Sequence, residues 1–209
     1  NRQFAIEYPT QSGTIRRVFS RWAQAAQLLA VRLGKRPYLV QQGLLLLTYQ
    51  HAPVDFRVLV QKGRTGTWGI TSIVARTGPA GSIVTNLARG GATLPAAQAL
   101  TQALPRSAPR PSLSALRQKA LLVAKGIERT IPGHFAELGI DLAVDRQGKI
   151  WVIEANAKPS KTEERAEELG LPTTLPRPRP SALHLVDYAW YVYRQQVTRS
   201  EPAWLPGAR

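Results

Sequence analysis

Residues 139–156 read Gly-Ile-Asp-Leu-Ala-Val-Asp-Arg-Gln-Gly-Lys-Ile-Trp-Val-Ile-Glu-Ala-Asn, and this segment gives the clearest indication of the secondary structure. Two apolar, alternating runs flank the turn-forming sequence Asp145-Arg-Gln-Gly148, which is the pattern of a β-hairpin. Side chains alternate between the two faces of a strand, so Glu154 and Asn156 point to the same side, roughly 6.6 Å apart along the strand. Pairing across the turn brings Asp141 beside Glu154.

These three polar residues are candidate metal ligands. Two carboxylates and one amide oxygen on the same side of a sheet are costly unless something neutralises them. Oxygen ligands of this kind suit Mg²⁺, which takes about six oxygens and keeps some of its waters. The alternative is a solvated strand face on which Glu154 pairs with Lys158 or an arginine, and the residues alone leave both readings open.

The same patterns extend outward along the chain and predict an α+β fold with a largely antiparallel sheet and packed helices. Strands that alternate in polarity or are mostly apolar are predicted within residues 3–19, at 38–42, at 55–61 and 68–76 as a hairpin, and at 139–144 and 150–155 as a second hairpin. Apolar residues at helical spacing predict helices from Ser20 to Leu33, from Ser112 to Thr130, and from Ala182 to Gln195. Ser20 and Ser112 are expected to cap the first two helices.

Two further segments carry charge that suits a phosphate. The stretch from Gly78 to Gly91 contains Arg89 followed by Gly90-Gly91, and glycines let backbone N–H groups approach an anion closely. In the first hairpin Asp55 and Arg57 share one face, and Arg76 ends the next strand. These residues form either a structural Asp–Arg pair or a set of cations placed where phosphoryl charge develops.

Composition narrows the class of protein. The 209 residues include 28 Lys and Arg against 13 Asp and Glu, and no Cys, which excludes a disulfide scaffold, a thiolate metal site and a Cys nucleophile. Residues 1–127 hold 17 of the cations but only Glu7 and Asp55 as acids. Such a basic half can meet nucleic acid or a phosphate-bearing ligand, but no aromatic residues are interleaved with the cations to stack on bases. Because the longest aliphatic run, Leu44–Leu47, is far too short to span a bilayer, we expect a cytoplasmic protein without a membrane partner.

Taken in order, four segments resemble the ATP-grasp superfamily, and most closely its YheC/YheD-type branch, known as endospore coat-associated proteins. The segments are Tyr38–Leu44, Asp55–Lys62, Ile73 through Gly91, and Gly139 through Pro159. The middle two are also similar to glutathione synthetase and RimK-type ligases. Each motif alone is moderately specific, but four motifs in the order of the family are not expected by chance.

The resemblance implies a function for individual residues. The backbone around Gln42, Gly43 and Leu44 would bond adenine, and Asp141, Glu154 and Asn156 would hold Mg²⁺ bridging the ATP phosphates. Arg76 would contact the terminal phosphates, with Arg89 as a second catalytic cation, while the remaining residues would line the nucleotide and acceptor side: Asp55, Arg57, Asn86, Gly90 and Gly91. In such ligases a carboxylate attacks the γ-phosphate to give an acylphosphate, and an amine then displaces phosphate to form an amide.

The sequence departs from the ATP-grasp pattern at its beginning. Proteins of this superfamily carry phosphate-binding lysines and a glycine-rich loop before the hinge, whereas residues 1–34 contain no Lys and only Gly13 and Gly34. We therefore expect that the N-terminal part of the ATP-binding subdomain is missing from this chain. Residues 1–37 would be the end of that subdomain, 38–160 the core with hinge, phosphate and metal sites, and 161–209 a Pro-rich linker and helix.

Three functional hypotheses remain open at this point. The first is an ATP- and Mg²⁺-dependent carboxylate–amine ligase, or a fragment of one, acting on an unidentified acid and amine. The second is a non-catalytic endospore coat-associated or scaffold protein that retains the fold and meets other spore-coat proteins. The third is a basic nucleic-acid-binding module, although we do not expect nucleic acid as the partner.

Overall fold

The computed structural model describes residues 3–10, 13–78, 91–103, 109–160 and 178–200. Eight strands and four helices lie within these ranges. The strands are β1 (Phe4–Thr10), β2 (Gly13–Phe19), β3 (Thr48–Tyr49), β4 (Ala52–Lys62), β5 (Trp68–Thr77), β6 (Ala92–Pro95), β7 (Glu137–Val144) and β8 (Ile150–Asn156). The helices are α1 (Trp22–Leu33), α2 (Ala96–Ala103), α3 (Leu113–Thr130) and α4 (Pro180–Ser200).

The central sheet has the strand order β6-β5-β4-β7-β8, with β3 paired to β4, and every pairing in it is antiparallel. The predicted α+β class and both predicted central hairpins are confirmed. Strand β4 lies in the middle, so the hairpin β4–β5 and the hairpin β7–β8 join through the β4–β7 pairing. This order places residues from two hairpins that are far apart in sequence side by side.

One face of this sheet forms the hydrophobic core. Alternate residues of β4 and β7 face α2 and α3, and Phe56 pairs with Leu142 while Val58 pairs with Ile140. Helix α3 adds Leu116 and its neighbours one and two turns on, which are also fully buried. Because the side chains of a strand alternate, burial of this face fixes which residues point to the opposite face.

Of the two predicted helix caps, one is confirmed and the other is wrong. Ser112 caps α3 as predicted, since its Oγ accepts a hydrogen bond from the Ala115 N–H at 3.0 Å. Ser20 does not cap α1: the helix begins at Trp22 after Arg21, and no side chain caps it. Strand β6 and helix α2, which follow one another without a break, carry no distinct start signal in the sequence and were not predicted.

The segment Tyr38–Gln42 is not the buried strand that its apolar residues predict. It has no regular structure, and Leu39 and Val40 are about as exposed as side chains become. A strand is stabilised by hydrogen bonds to a neighbouring strand. In the part of the chain that the structure describes, no strand pairs with these residues.

Helix α4 packs on the sheet at the end that carries the β4–β5 turn. The Gln61 side-chain amide donates to the Ser181 carbonyl oxygen at 3.0 Å. Gly63 and Gly66 of the turn lie so close to His184 and Tyr191 that a Cβ at either glycine would contact those side chains. Among the described helices, none is long and apolar enough to cross a membrane.

Candidate functional site

A cluster of charges lies on the face of the sheet opposite the core. Arg76 of β5 pairs with Asp55 of β4, donating from Nε to Oδ1 at 2.6 Å and from Nη2 to Oδ2 at 2.8 Å. The same Nη2 lies 3.0 Å from Oδ2 of Asp141 on β7. Arg76 therefore bridges carboxylates from two strands, and the strand order β5-β4-β7 makes this contact available.

Arg57 completes the cluster from the middle strand. It lies directly opposite Asp141 in the β4–β7 register, donates from Nε to Oδ1, and donates from Nη2 to Oδ2 at 3.1 Å. Its side chain crosses Gly139, where an added Cβ would lie 3.2 Å from Nη1 of Arg57 and 2.7 Å from Cβ of Pro159. Because Gly139 has no side chain, the guanidinium of Arg57 and the ring of Pro159 can both lie over the strand at this position.

The cluster balances two arginines against two aspartates at positions with little access to water. The side chains of Arg76, Arg57 and Asp55 are 11–12% exposed, and that of Asp141 is 4% exposed. Burial lowers the pKa of Arg76, but hydrogen bonds and charges from Asp55 and Asp141 outweigh this and raise that pKa above its ordinary value. Arg76 is therefore held as a charged group in a fixed position, and Arg57 is fixed beside it by its own two hydrogen bonds to Asp141.

Strand β8 places a second polar pair beside this cluster. Glu154 lies directly opposite Asp141, and Asn156 lies opposite Gly139, with a bulge in the register next to Asp141. The Asn156 side-chain amide donates to Oε1 of Glu154 at 2.9 Å. Glu154 is exposed and, among the described residues, makes no ion pair. The structure thus brings Asp141, Glu154 and Asn156 together on one side of the β7–β8 hairpin.

The donors of these three residues suit Mg²⁺ in type but differ in availability. Carboxylate and amide oxygens are the ligands that Mg²⁺ prefers. Both oxygens of Asp141 already accept from arginines, whereas Glu154 faces solvent with its amide neighbour. No group of three His, Cys, Asp or Glu side chains that could hold a metal is found among the described residues. Of these three residues, Glu154 and Asn156 have oxygens that do not accept from any described arginine, and these two fit Mg²⁺ in ligand type.

The segment expected to bond adenine leads into the same end of the sheet. Gln42 and Gly43 are exposed and Leu44 is half-buried, and their peptide groups make none of the backbone hydrogen bonds found among the described residues. Immediately after them, the Leu45 carbonyl oxygen accepts from the Arg146 N–H at 3.1 Å, and the Leu47 N–H donates to the Val144 carbonyl oxygen at 2.8 Å. These bonds tie the segment to the end of β7, three residues beyond Asp141.

The stretch from Gly78 to Gly91 is described only at its two ends. Asn86, Arg89 and Gly90 lie outside the described residues. Gly91 is described and immediately precedes β6, whose Thr93 lies opposite Arg76. Gly78 and Gly91, the described residues on either side, therefore both lie at the end of the β5–β6 pair that carries Arg76.

Two features of the site were not singled out in the sequence. One is the contact of Arg57 with Gly139 and Pro159, for which the only signal was a glycine at a strand position. The other is Asp145, which accepts hydrogen bonds from the Gln147 and Lys149 N–H groups at 2.9 Å and from Trp151 Nε1 at 2.8 Å. The hydrogen bond from Trp151, followed by those from the backbone, holds the pKa of Asp145 below its ordinary value. An aspartate at the start of an Asp-x-x-Gly turn was the available signal.

Comparison with known proteins assigns this arrangement to a family. A family model described as "YheC/D like ATP-grasp" matches residues 1–191. The chain belongs to the YheC/D-like ATP-grasp family. The resemblance drawn from the four sequence segments is thereby confirmed, and the fold is the ATP-grasp fold. ATP-grasp proteins generally bind ATP and Mg²⁺.

Two curated relatives from Bacillus subtilis (strain 168) are similar to the chain. The endospore coat-associated protein YheD is 31% identical over 167 residues, covering 80% of this chain and 35% of that protein. The endospore coat-associated protein YheC is 24% identical over 133 residues, covering 59% of this chain and 34% of that protein. The chain spans about a third of the length of these curated relatives.

Proposed function

We propose that this chain contributes the phosphate- and metal-binding residues of an ATP- and Mg²⁺-dependent carboxylate–amine ligase. The observation that carries the proposal is the juxtaposition of a buried, fixed arginine with an exposed carboxylate–amide pair on one sheet face. Membership in an ATP-grasp family supports the same assignment. Within the cluster Arg76 supplies a guanidinium held in a fixed position, and the pair supplies oxygen ligands beside it.

Each residue has a distinct task in this proposal. Glu154 and Asn156 would hold Mg²⁺, which supplies charge neutralisation for the phosphates when it is bound. Arg76 would stabilise charge on the transferring phosphoryl group, and Asp55 and Asp141 keep its guanidinium in place. Since the cation is fixed before substrate arrives, little reorganisation is needed when charge develops. Positioning and electrostatics, more than covalent participation by the protein, therefore account for catalysis.

The proposed reaction has two balanced steps. A substrate carboxylate oxygen attacks the γ-phosphorus of ATP, and the bond between that phosphorus and the oxygen of the β-phosphate breaks. ADP departs, and the substrate carboxylate becomes an acylphosphate. An amine nitrogen then attacks the acyl carbon, phosphate leaves with the bonding electron pair, and the amine loses a proton as the amide forms. Asn86, Arg89, Gly90 and Gly91 are proposed to line the acceptor side, and the peptide groups of Gln42, Gly43 and Leu44 to bond adenine.

The proposal is tested by thermal unfolding of the full-length protein with and without Mg²⁺ and ATP. A ligand that binds only the folded state at about 100 times its Kd stabilises it by about 2.7 kcal/mol, which raises the melting temperature measurably. We expect this rise in the wild type and its loss in Glu154→Gln. The matched control is Glu7→Gln, an exposed glutamate on strand β1 that should keep the full rise. Absence of a rise in the wild type, or an unchanged rise in Glu154→Gln, contradicts the proposal.

A second candidate is a non-catalytic protein associated with the spore coat that retains the ATP-grasp fold. Two observations favour it: both oxygens of Asp141 are occupied by arginines, and the relatives carry the name endospore coat-associated. The two candidates differ in turnover. ADP release by the full-length protein that depends on added acid and amine supports the ligase. Stabilisation by ATP without ADP release over a broad panel of acids and amines supports the non-catalytic protein.

A further inference from the structure

The hinge segment, which we define as residues 38–44, contains the peptide groups proposed to bond adenine and is anchored at one end only. Its backbone makes no hydrogen bond to any other described residue. Directly after it, the Leu45 carbonyl oxygen accepts from the Arg146 N–H at 3.1 Å, and the Leu47 N–H donates to the Val144 carbonyl oxygen at 2.8 Å. The position of the hinge segment therefore depends on these contacts with the end of β7 and the turn that follows.

The bond between Leu45 and Arg146 is the one nearest to the hinge segment. A peptide unit is planar, so a hydrogen bond to the Leu45 carbonyl oxygen orients the whole unit that joins Leu45 to Leu46. The Leu45 side chain is 68% exposed and adds little packing of its own. Losing this one bond would therefore free the residue on which the orientation of the hinge segment depends.

The Asp145 side chain determines where the Arg146 N–H points. Asp145 is buried, and its Oδ1 accepts from the N–H groups of Gln147 and Lys149, both at 2.9 Å. Its own carbonyl oxygen accepts from the Gly148 N–H at 3.0 Å, which closes the turn. Arg146 lies between these bonds, so the carboxylate that shapes the turn also fixes the direction of the Arg146 N–H.

Pro109 holds this turn in place from outside. Gly148 has a φ of +80°, and a Cβ added there would lie 2.2 Å from the Pro109 carbonyl oxygen. Such close packing leaves the turn little room to move. The turn is therefore a rigid anchor for the hinge segment.

The hairpin that anchors the hinge segment also carries the proposed metal ligands. Glu154 lies four residues beyond Ile150, where β8 begins, and this corresponds to roughly 13 Å along the strand. The turn thus fixes the base-binding peptide groups at one end of the β7–β8 hairpin, while Glu154 and Asn156 lie farther along β8. A nucleotide bound to both would span this hairpin, so the turn affects recognition of the base more directly than binding of the phosphates.

We propose that the Arg146 N–H, oriented by Asp145, holds the hinge segment in the position that selects adenine over guanine. This inference rests on the proposed function, in which the hinge segment bonds the base of ATP. Adenine presents a donor at N6 where guanine presents an acceptor at O6. A carbonyl oxygen held at this place therefore pairs with adenine and leaves guanine unpaired, which is a strong basis for selectivity. Asp145 acts through the Arg146 peptide and is a positioning residue.

The test compares the affinities of the full-length protein for ATP and GTP, each measured by isothermal titration calorimetry with Mg²⁺ and without acid or amine. We expect the wild type to bind ATP at least about tenfold more tightly than GTP. Arg146→Pro removes the N–H and should reduce this preference to about threefold or less. Proline is favoured at the second position of a turn, so the variant should fold.

Arg146→Ala is the matched control for Arg146→Pro. It removes the same exposed side chain, which makes no ion pair with a described residue, but it keeps the N–H. Its preference for ATP over GTP should therefore equal that of the wild type. Equal preferences in Arg146→Pro and Arg146→Ala overturn the proposal.

A second pair of variants tests Asp145 itself. Asp145→Ala removes the acceptor of the turn N–H groups and should lower the preference for ATP as Arg146→Pro does, whereas Asp145→Asn keeps a side-chain oxygen in the same place and should retain it. Both variants lose the carboxylate oxygen that accepts from Trp151 Nε1, so both should melt at a lower temperature than the wild type. A preference that falls equally in both variants, as the melting temperature does, overturns the proposal. The Arg146 pair decides the question if Asp145→Ala does not fold.

The ratio of the two affinities separates this inference from the proposed function. ATP and GTP carry the same triphosphate, so a change in phosphate or metal binding alters both affinities and leaves their ratio unchanged. Glu154→Gln should therefore weaken both nucleotides and keep the preference for ATP. A wild type that binds ATP and GTP equally, with both weakened in Glu154→Gln, overturns this inference and leaves the assigned phosphate and metal sites standing. A wild type that binds neither nucleotide overturns both.

Discussion

On one face of strands β4 and β7, Phe56 and Ile140 are fully buried under helices, whereas on the other face Arg57 and Asp141 form a buried ion pair. The two sets alternate along the same strands, so each residue of one set is next to a residue of the other. The apolar face is stabilised by burial that any similar core would provide. The charged face needs specific partners, because an unpaired charge in this position would be strongly destabilising. The first face therefore stabilises the fold, and the second carries the residues to which the proposed function assigns phosphate and metal binding.

The largest effect is expected on the apolar face. Phe56 is the largest fully buried side chain among the described residues, and Phe56→Ala should lower the free energy of unfolding by about 3–5 kcal/mol, through lost burial and the cavity left behind. Urea denaturation monitored by circular dichroism measures this. The control is Leu122→Ala on α3, which should cost less than about 0.5 kcal/mol because that residue is exposed. A small loss for Phe56→Ala would show that this face is not the stabilising one.

The charged face should also lose stability when it is broken, but only at its buried positions. Asp141→Asn removes the carboxylate that pairs with Arg57 and one of the two that pair with Arg76, and should cost about 2–4 kcal/mol. Glu154→Gln, one strand away and exposed, should cost less than about 0.5 kcal/mol. Urea denaturation of both variants tests this contrast. If Asp141→Asn is as stable as the wild type, the arginines do not depend on Asp141, and its oxygens are available to a metal.

The sequence predicted the composition of the two faces, because alternation in β4 and β7 follows directly from the residues. It placed Asp55 and Arg57 on one face, and it placed Asp141 opposite Glu154, as the register shows. It did not predict that Asp141 pairs with Arg57 and Arg76. That contact depends on the order β5-β4-β7, and neither hairpin contains in its own sequence the information about which hairpin lies beside it.

Prediction failed where local pattern and tertiary environment disagree. Apolar residues in Tyr38–Gln42 predicted a buried strand, but an apolar run forms a strand only where another strand can bond to it. Ser20 was expected to cap α1, yet the helix begins two residues later. The prediction of a helix from Ala182 to Gln195 also did not distinguish its sheet-facing residues from an exposed apolar row on the same helix, which is formed by Leu183, Val186, Trp190, Tyr193 and Val197.

A smaller loss of stability is expected from a substitution at Gly139, on the charged face. An added Cβ at Gly139 would lie 2.7 Å from Cβ of Pro159 and 3.2 Å from Nη1 of Arg57. Gly139→Ala should therefore cost about 1–3 kcal/mol through overpacking, even though the change is only one methyl group. Thermal or urea denaturation measures this loss.

Two companion variants separate this overpacking from a general effect of replacing glycine. Pro159→Gly removes the nearest contact, and in a double-mutant cycle it should reduce the cost of Gly139→Ala. Gly126→Ala lies within α3 with nothing within 4 Å of the added methyl, and should stabilise by about 0.5–1 kcal/mol. If Gly139→Ala costs as much stability in the Pro159→Gly background as in the wild type, crowding against Pro159 is not the cause of the loss.

The smallest effect is expected where a carboxylate is satisfied by N–H donors instead of arginines. Asp145 accepts from Trp151 Nε1, which contributes most to holding its pKa low. Because the pKa of Asp145 is lower in the folded state than the unfolded value of about 3.9, its ionised form stabilises the fold above about pH 3.9. This stabilisation is lost as the pH falls through the folded-state pKa. Trp151→Phe should cost about 1 kcal/mol at pH 7, and the difference from wild type should shrink below about pH 3.9. Trp22→Phe, at an exposed position on α1, should show no such pH dependence. A difference for Trp151→Phe that stays constant down to pH 2 would mean that the lost packing of the ring, and not the hydrogen bond to Asp145, accounts for the effect.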